Sequence, residues 1–461
     1  MKSHFYNRYH SSVKLLVLLD IIIIFVITLV FHWQIILENS ANYKNYGQIA
    51  TFIMCFQLIL LSLGLYQVKL RESYSGMFRR IFLATLCTFV VFSLVNFLIF
   101  ETIFNNRSIV LTLLFSGILC FGYRGIFVKY DVFNIYKRTV VILGTGQRAE
   151  IIEKRMRRKV DQHGFTILGF IAMKGDKEGC ISTDKIISYP DDFIEFIQQN
   201  NVNEIVVAND ERRDNLPIED LFYCRLKGVQ ISEILDFIEN ETGQLAVNLM
   251  YPSWIIYSNG FTYNNDFKNA LDWLFNAVLA TIIFILTWPL MLLTIIAIKI
   301  EDGITQPCFY VQNRVGQNGR VFQIIKFRSM IQGAEKNGAQ WAKTGDSRVT
   351  KVGGFIRKYR IDELPQLFNV LSGDMGFVGP RPERPEFVNQ FNAKIPYYNE
   401  RHKVKSGLTG WAQLKYPYGA SMEDAQEKLK YDLYYIKHRS FILDILILLQ
   451  TAEIVLFGKG R

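Results

Sequence analysis

The sequence has few of the residues that build disulfides and metal centres. Six cysteines and six histidines are scattered over 461 residues, and no two cysteines have a CxxC spacing. Cys55, Cys87 and Cys120 fall inside apolar runs, where cysteine acts as a small hydrophobic side chain. These features exclude a disulfide framework and a zinc site built from cysteine and histidine.

The N-terminus also lacks the features of a cleavable signal peptide. Its first apolar run, 13–37, is too long for such a peptide and has no small-residue cleavage site. Half of all residues are hydrophobic and 14% are aromatic, and the apolar residues are concentrated in blocks. The composition therefore predicts a membrane protein rather than one large soluble core.

Four apolar runs before residue 130 predict a four-helix transmembrane domain over residues 1–130. Each is close to the ~20 residues that cross a bilayer. The runs are 13–37, 47–68, 80–104 and 108–128. Lysine and arginine are concentrated in the N-terminal tail, between the second and third runs, and after the fourth, where Arg124 begins the basic stretch. By the positive-inside rule both ends of this block are cytoplasmic. The acidic residues Asp20 and Glu101 form no obvious relay.

Residues 138–260 change to alternating strand and helix patterns. Strands are predicted at 139–143, 165–171 and 203–208, and helices at 190–200 and 217–227. Alternation of this kind predicts a Rossmann-like, doubly wound α/β domain with a parallel sheet.

A glycine-rich turn, Gly144-Thr-Gly146, follows the first of these strands. Ala149 replaces the third glycine of the dinucleotide-binding pattern, and no acidic residue closes the second strand to bind a ribose. Tyr223 and Lys227 have the spacing of a short-chain dehydrogenase pair, which helices also show by chance. We therefore expect a folding or docking module without a cofactor. The alternative is a membrane-tethered nucleotide-sugar dehydratase or epimerase.

A further apolar segment, 271–299, is interrupted by Trp288-Pro289 near its centre. Proline removes an amide donor and can bend a helix back. Lys268 and Lys299 flank the segment and a basic stretch follows, which favours the same side of the membrane for both ends. The pattern predicts a re-entrant helical hairpin with its bend at Pro289. The alternative is a kinked helix that crosses the bilayer.

Asp362 and Glu363 are adjacent carboxylates ahead of an apolar stretch, Leu364–Leu371. Asp362 is a candidate N-cap for a helix there, and the cations Arg357, Lys358 and Arg360 are expected to favour its ionised form. Neighbouring helix residues point about 100° apart, so the pair is expected to divide its work. One carboxylate can attack phosphorus while the other holds a divalent cation such as Mg2+.

Arg381 lies between Pro380 and Pro382, whose rings stiffen the backbone on both sides. A guanidinium held in this way suits bidentate contact with phosphate. The basic residues follow the membrane flanks and this phosphate site, so we do not expect nucleic acid as a partner.

From about residue 267 onward the chain resembles the bacterial sugar transferase family, the monotopic phosphoglycosyl transferases. The ordered motifs that carry this resemblance are Phe322–Met330, Asp362–Gln366, Gly373–Met375, Val378–Pro382, Gly407–Gln413 and Tyr431–Tyr435. Trp288, Gly376 and Ser406 depart from the family's usual pattern. The whole chain resembles the large undecaprenyl-phosphate glucose or galactose phosphotransferase form. Its ending, Tyr416–Ala420 and Leu456–Gly460, resembles an exopolysaccharide branch associated with exosortase systems.

The resemblance implies a catalytic α/β domain over 267–461 and a covalent phosphosugar on Asp362. It implies that Glu363 binds Mg2+ and that Arg381 holds phosphate. Lys326, Arg328, Arg401 and Asp432 also match motif positions of the family, the first two toward substrate phosphates. Arg357 and Arg360 are likewise expected to bind substrate phosphate.

The expected partners are a UDP-sugar, undecaprenyl phosphate and membrane lipid, and a homodimer is compatible with this reading. The expected location is the bacterial inner membrane, with several crossings and a cytoplasmic catalytic domain. A scaffold for polysaccharide export that has lost catalysis is a further alternative, against which the intact Asp362, Glu363 and Arg381 set argues.

Overall fold

The chain divides into two compact units, Met1–Thr242 and Gly243–Arg461. The computed structural model describes residues 16–31, 43–66, 74–100, 106–129, 137–156, 162, 164–211, 215–258, 260–261, 266–333, 346–416, 419 and 421–456. The basic N-terminal tail lies outside these residues, and so do most residues of the C-terminal stretches Tyr416–Ala420 and Leu456–Gly460. The predicted bounds of three separate domains stay a prediction.

The first unit opens with four apolar helices at the positions of the four apolar runs. They are α1 (Leu16–Phe31), α2 (Tyr43–Ser62), α3 (Tyr74–Phe100) and α4 (Asn106–Lys129). Two of them contain segments long and apolar enough to cross a membrane, Gly76–Phe97 and Ser108–Phe127. In α1 and α2 the described apolar segments are shorter. Association with a membrane therefore fits, and four crossings are not confirmed.

A buried ion pair joins the first and last of these helices. The carboxylate of Asp20 in α1 accepts hydrogen bonds from Arg124 Nη2 in α4 at 2.5 Å and from the hydroxyls of Tyr66 and Tyr123 at 2.6 and 2.5 Å. Arg124 also donates from Nη1 to the carbonyl of Leu65 at 2.6 Å. The sequence pattern counts Arg124 among the flanking charges, but α4 continues past it and buries it beside Asp20.

The rest of the first unit is the sheet domain, which runs from β1 to α8. Its elements are β1 (Arg138–Leu143), α5 (Gln147–Arg155), β2 (Phe165–Ile171), β3 (Ile186–Ile187), α6 (Phe193–Gln199), β4 (Glu204–Val207), α7 (Ile218–Leu226), β5 (Gln230–Glu233) and α8 (Ile234–Thr242). The strands form one sheet in the order β3-β2-β1-β4-β5, and every pairing is parallel. The predicted doubly wound parallel sheet is confirmed. The two-residue β3 and the half-polar β5 carry too weak an apolar pattern to be predicted.

The second unit contains a long helix, an antiparallel hairpin and a set of short helices. Its elements are a 3-10 helix (Val247–Leu249), α9 (Pro252–Tyr257), α10 (Asp266–Asp302), β6 (Phe309–Val315), a 3-10 turn (Gln317–Gly319), β7 (Val321–Phe327), α11 (Lys351–Lys358), a 3-10 helix (Ile361–Gln366), α12 (Leu367–Leu371), β8 (Gly376–Val378), α13 (Pro385–Lys394), a 3-10 helix (Tyr398–Lys403), β9 (Gly407–Thr409), α14 (Trp411–Lys415), α15 (Met422–His438) and α16 (Phe441–Leu456). Strands β6 and β7 pair antiparallel, and β8 pairs with β9 in parallel.

The position of the predicted bend, Pro289, lies within α10, which is one helix of 37 residues that continues through this proline. The two-armed hairpin is therefore not confirmed, because a helix can accommodate proline at the cost of a hydrogen bond and a local bend. On the N-terminal side of Pro289, Asn276 Oδ1 accepts from the amide of Phe377 at 2.7 Å. On the other side, Glu301 accepts from the amide of Lys351 at 2.7 Å. Both halves of α10 thus pack on the same unit.

We expect Arg124→Met to destabilise the helical bundle, because it leaves the Asp20 carboxylate buried without its cation. Breaking a buried pair by removing one partner costs about 3–5 kcal/mol. The measurement is the thermal unfolding midpoint of the full chain in detergent. Arg320→Met, at an exposed arginine in the turn before β7, is the control. Equal midpoints for the two variants would contradict the prediction.

Candidate active site

The two adjacent carboxylates lie in the 3-10 helix Ile361–Gln366, which we call the acidic turn. Arg360 precedes it with a left-handed backbone, φ 56° and ψ 24°, which few residues other than glycine adopt. The prediction of Asp362 as an N-cap is wrong, because Arg360 holds that position and Asp362 lies inside the turn. The predicted helix Leu364–Leu371 is α-helical only from Leu367 onward, after Pro365.

Glu363 is buried and receives three cations. Its Oε1 accepts from Lys326 Nζ at 3.3 Å and from Arg381 Nη2 at 2.9 Å. Its Oε2 accepts from Arg360 Nε and Nη2 at 3.0 and 2.5 Å. Burial alone would raise the pKa of Glu363, but the charges of Arg381, Lys326 and Arg360 hold that pKa well below its usual range. This carboxylate is therefore ionised at any physiological pH.

Asp362 is in a different environment, and the hydrogen bonds just described all go to its neighbour. Burial raises the pKa of Asp362 to about 6, and the negative charge of Glu363 adds to the rise. The positive charges of Lys326, Arg360 and Arg357 oppose it. Arg357 and Arg360 favour the ionised form, as expected, but burial has the larger effect and the pKa of Asp362 rises. The carboxylate is still mostly ionised at pH 7, since that pH lies about one unit above its pKa.

The buried side-chain amide of Asn369 joins the β6–β7 hairpin to α12, the helix that follows the acidic turn. Asn369 in α12 donates from Nδ2 to the carbonyl of Gln323 at 2.7 Å, and its Oδ1 accepts from the amide of Ile325 at 3.1 Å. Both partners lie in β7, directly before Lys326. Asn369 therefore fixes the strand that carries Lys326 relative to the turn that carries Glu363.

Hydrogen bonds fix the loop Pro380–Glu383, which carries Arg381, at four successive carbonyls. Backbone amides bind its two ends: Gly407 N donates to Pro380 O at 3.0 Å and Val315 N donates to Glu383 O at 2.9 Å. Two arginine side chains bind the middle. Arg401 Nη2 donates to Arg381 O at 2.9 Å, and Arg314 Nη1 donates to Pro382 O at 3.1 Å. This bonding holds the backbone of Arg381 in one position.

The guanidinium of Arg401 is itself buried among fixed partners. It donates from Nε and Nη2 to Asp432 of α15 at 3.1 and 2.8 Å, and from Nη1 to the hydroxyl of Tyr398 at 2.7 Å. Arg401 and Asp432 thus lie behind the loop and support Arg381. Sequence reasoning missed Tyr398, Asn369 and Arg314. Of these three, Asn369 alone could have been noticed from the sequence, because it is a polar residue within an apolar stretch.

The remaining predicted residues lie elsewhere or act only through their charge. Arg328 donates to Asp302 at the end of α10 at 2.6 Å rather than to the acidic turn. Arg357 of α11 contributes positive charge near Asp362. Pro289 lies inside α10. Of the predicted set, Lys326, Arg360, Arg381 and Glu363 are in direct contact, with Asp362 next to them.

The acidic turn is not part of a cluster of three or more metal-ligating side chains among the described residues. Within the described part of the chain, no group of three or more histidine, cysteine, aspartate or glutamate side chains is placed to hold an ion. Both oxygens of Glu363 bind cations, so Mg2+ could bind there only if a cation moved away. The role of Glu363 as a magnesium ligand stays a prediction.

Comparison with known proteins identifies the second unit. The bacterial sugar transferase family matches residues 267–458, which include the hairpin, the acidic turn and the Arg381 loop. The UDP-glucose:undecaprenyl-phosphate glucose-1-phosphate transferase of Caulobacter vibrioides is 39% identical over 191 residues, covering 41% of this chain and 69% of that protein. The chain belongs to the bacterial sugar transferase family.

Two longer relatives are similar over part of both units. The UDP-N-acetylgalactosamine-undecaprenyl-phosphate N-acetylgalactosaminephosphotransferase of Aeromonas hydrophila is 43% identical over 258 residues, 55% of this chain and 59% of that protein. The UDP-glucose:undecaprenyl-phosphate glucose-1-phosphate transferase of Xanthomonas campestris pv. campestris is 34% identical over 279 residues, 59% of this chain and 56% of that protein. The chain thus spans little more than half the length of these two relatives.

A second family, described as a CoA-binding domain, matches residues 61–212. This match covers α3, α4 and most of the sheet domain.

Proposed function

We propose that this chain transfers a sugar 1-phosphate from a UDP-sugar to undecaprenyl phosphate and releases UMP. The names of its relatives support this general reaction, since each acts on undecaprenyl phosphate. The observation that carries the proposal is the acidic turn, where Asp362 lies beside a carboxylate that holds three cations. A nucleophile next to cations suits attack on a diphosphate.

In the first step, a carboxylate oxygen of Asp362 attacks the phosphorus that bears the sugar. A new bond forms between that oxygen and phosphorus, and the bond to the bridging oxygen breaks. UMP leaves with the bridging oxygen and its electron pair. The product is an aspartyl-phosphosugar on Asp362. Arg381 and Lys326, both bound to Glu363, are placed to exchange that carboxylate for the phosphate oxygens of the substrate.

In the second step, a phosphate oxygen of undecaprenyl phosphate attacks the phosphorus of the aspartyl-phosphosugar. The bond to Asp362 breaks, the carboxylate is restored, and the lipid carries a diphosphate sugar. One phosphoanhydride is exchanged for another overall. Catalysis must therefore come mainly from charge stabilisation and alignment of the reacting groups.

Mg2+ is the proposed cofactor, carried on the substrate diphosphate, where it would neutralise phosphate charge. Glu363 is its proposed protein ligand, on the condition that one of the bound cations moves to phosphate.

We propose that the chain is a multi-pass protein of the bacterial inner membrane with its catalytic unit in the cytoplasm, where UDP-sugars occur. The large exposed side chains near Pro289 include Leu286, 73% exposed, and Trp288, 53% exposed. An apolar face of this kind suits contact with lipid. Contacts of α10 with one unit on both sides of Pro289 support a helix whose two ends share one side of the membrane.

The proposed biological role is the first step of exopolysaccharide or capsule assembly, because a lipid-linked sugar phosphate is the product on which further sugars can be added. A homodimer stays a prediction.

We expect Asp362→Asn to abolish UMP release, because the amide cannot act as the nucleophile. Single-turnover assays with a UDP-sugar measure UMP, and intact-protein mass measures the phosphosugar adduct, which this variant should lack. Glu386→Gln, an exposed glutamate in α13, is the charge-matched control and should keep near-normal release. Near-normal turnover by Asp362→Asn would contradict the covalent step.

We expect the first step to slow as the pH falls through about 6, the pKa to which burial raises Asp362. The ionised form is the nucleophile, so each further unit of acidity should reduce the rate about tenfold. The measurement is single-turnover UMP release without the lipid acceptor, whose own phosphate titrates nearby. A rate that stays constant from pH 8 to pH 5 would contradict the assignment.

We expect Arg401→Lys to reduce kcat by about 10–100-fold with little change in KM, because an ammonium cannot bind Asp432, Tyr398 and the Arg381 carbonyl together. Arg320→Lys in the exposed turn is the control. If Arg401 acts through Arg381, the same change should cost much less in an Arg381→Ala background. An equal cost in both backgrounds would show that Arg401 does not act through Arg381.

A further inference from the structure

The glycine loop of the sheet domain lies where this fold usually binds a ligand. In the strand order β3-β2-β1-β4-β5, the winding of the sheet reverses between the adjacent strands β1 and β4. In doubly wound sheets, ligand phosphates bind beyond the carboxyl ends of the strands at this point, against the N-terminus of the following helix. Here that helix is α5, which begins after Gly144-Thr-Gly146.

A carboxylate of the chain itself holds the N-terminus of α5. Asp210, which follows β4, accepts from the amide of Gln147 through Oδ2 and from the amide of Arg148 through Oδ1, both at 2.9 Å. The N-cap residue, Gly146, offers no side chain for this purpose. Asp210 thus binds the first two helical amides, which a phosphate would otherwise bind.

A second carboxylate completes the loop. Asp176, which follows β2, accepts from the amide of Thr145 through Oδ2 at 2.7 Å and from the amide of Asp210 through Oδ1 at 2.9 Å. The two aspartates therefore connect the carboxyl ends of β1, β2 and β4. They also place two negative charges where an anionic ligand would have to enter.

Contacts within the chain account for both glycines of the motif. A Cβ on Gly146 would lie 2.0 Å from Oδ2 of Asp210, so the absence of a side chain lets this carboxylate approach. Gly144 has φ +129°, and a Cβ there would lie 2.7 Å from the backbone of Ala208. Neither glycine requires a bound phosphate to explain it.

We infer that Asp210 and Asp176 occupy the phosphate loop of the sheet domain, so that this loop binds neither CoA nor a dinucleotide. The residues present do not fit the ligand that the CoA-binding family implies. The two glycines instead allow Asp210 and Asp176 to connect the carboxyl ends of β1, β2 and β4. A dehydratase or epimerase that depends on NAD at this loop does not fit this geometry either.

Hydrogen exchange on the full chain in detergent tests the inference. We expect the amides of Thr145, Gln147 and Arg148 to be protected without ligand, because they already donate to carboxylates. Neither CoA nor NAD+ at about 1 mM, which covers millimolar affinities, should change their exchange. New protection at these amides with either ligand would overturn the inference. Protection confined to the second unit would leave the loop amides unchanged and agree with it.

The Asp210→Ala variant tests whether the carboxylate of Asp210 protects the amides at the start of α5. Exchange at Gln147 and Arg148 should become about tenfold faster or more, while Asp184→Ala, at an exposed aspartate in the turn Thr183–Lys185, should leave it unchanged. Unchanged exchange in Asp210→Ala would overturn the inference. If this variant unfolds the whole domain, the comparison of ligand-free and ligand-bound wild type still decides.

Discussion

The candidate active site depends on one ion cluster, in which three cations share the buried carboxylate of Glu363. Lys326 comes from β7, Arg360 from the residue before the acidic turn, and Arg381 from a loop between two prolines. Without the central carboxylate these like charges would repel one another in a poorly solvated place. Glu363 thus joins three segments of the chain, and Asp362 beside it is the proposed nucleophile.

Much of this arrangement could be predicted from sequence where the signal is local. The adjacent carboxylates, the stiffened Arg381 and the alternating strands of the sheet domain each lie within a short stretch with a recognisable pattern. Lys326 was identified only by resemblance to a family, because nothing in its own stretch indicates that it contacts Glu363. The helices α1–α4 followed from long apolar runs.

What sequence could not predict comes from contacts between distant residues and from competing energies. Asn369 binds β7 across more than forty residues, and Arg124 binds Asp20 across about a hundred. The pKa of Asp362 depends on whether burial or nearby cations dominate, and only the packed structure decides this. Arg360 with its left-handed backbone, rather than Asp362, begins the acidic turn, a choice that helix-capping preferences do not indicate.

The contact between Gly146 and Asp210 has a consequence for how related chains evolve. A side chain at position 146 would collide with the carboxylate at 210, and loss of that carboxylate would leave two helical amides to be bound by something else. The two positions should therefore change together across descendants of a common ancestor. A glycine at position 146 would then indicate a carboxylate partner at position 210, and would not by itself indicate that the loop binds a nucleotide.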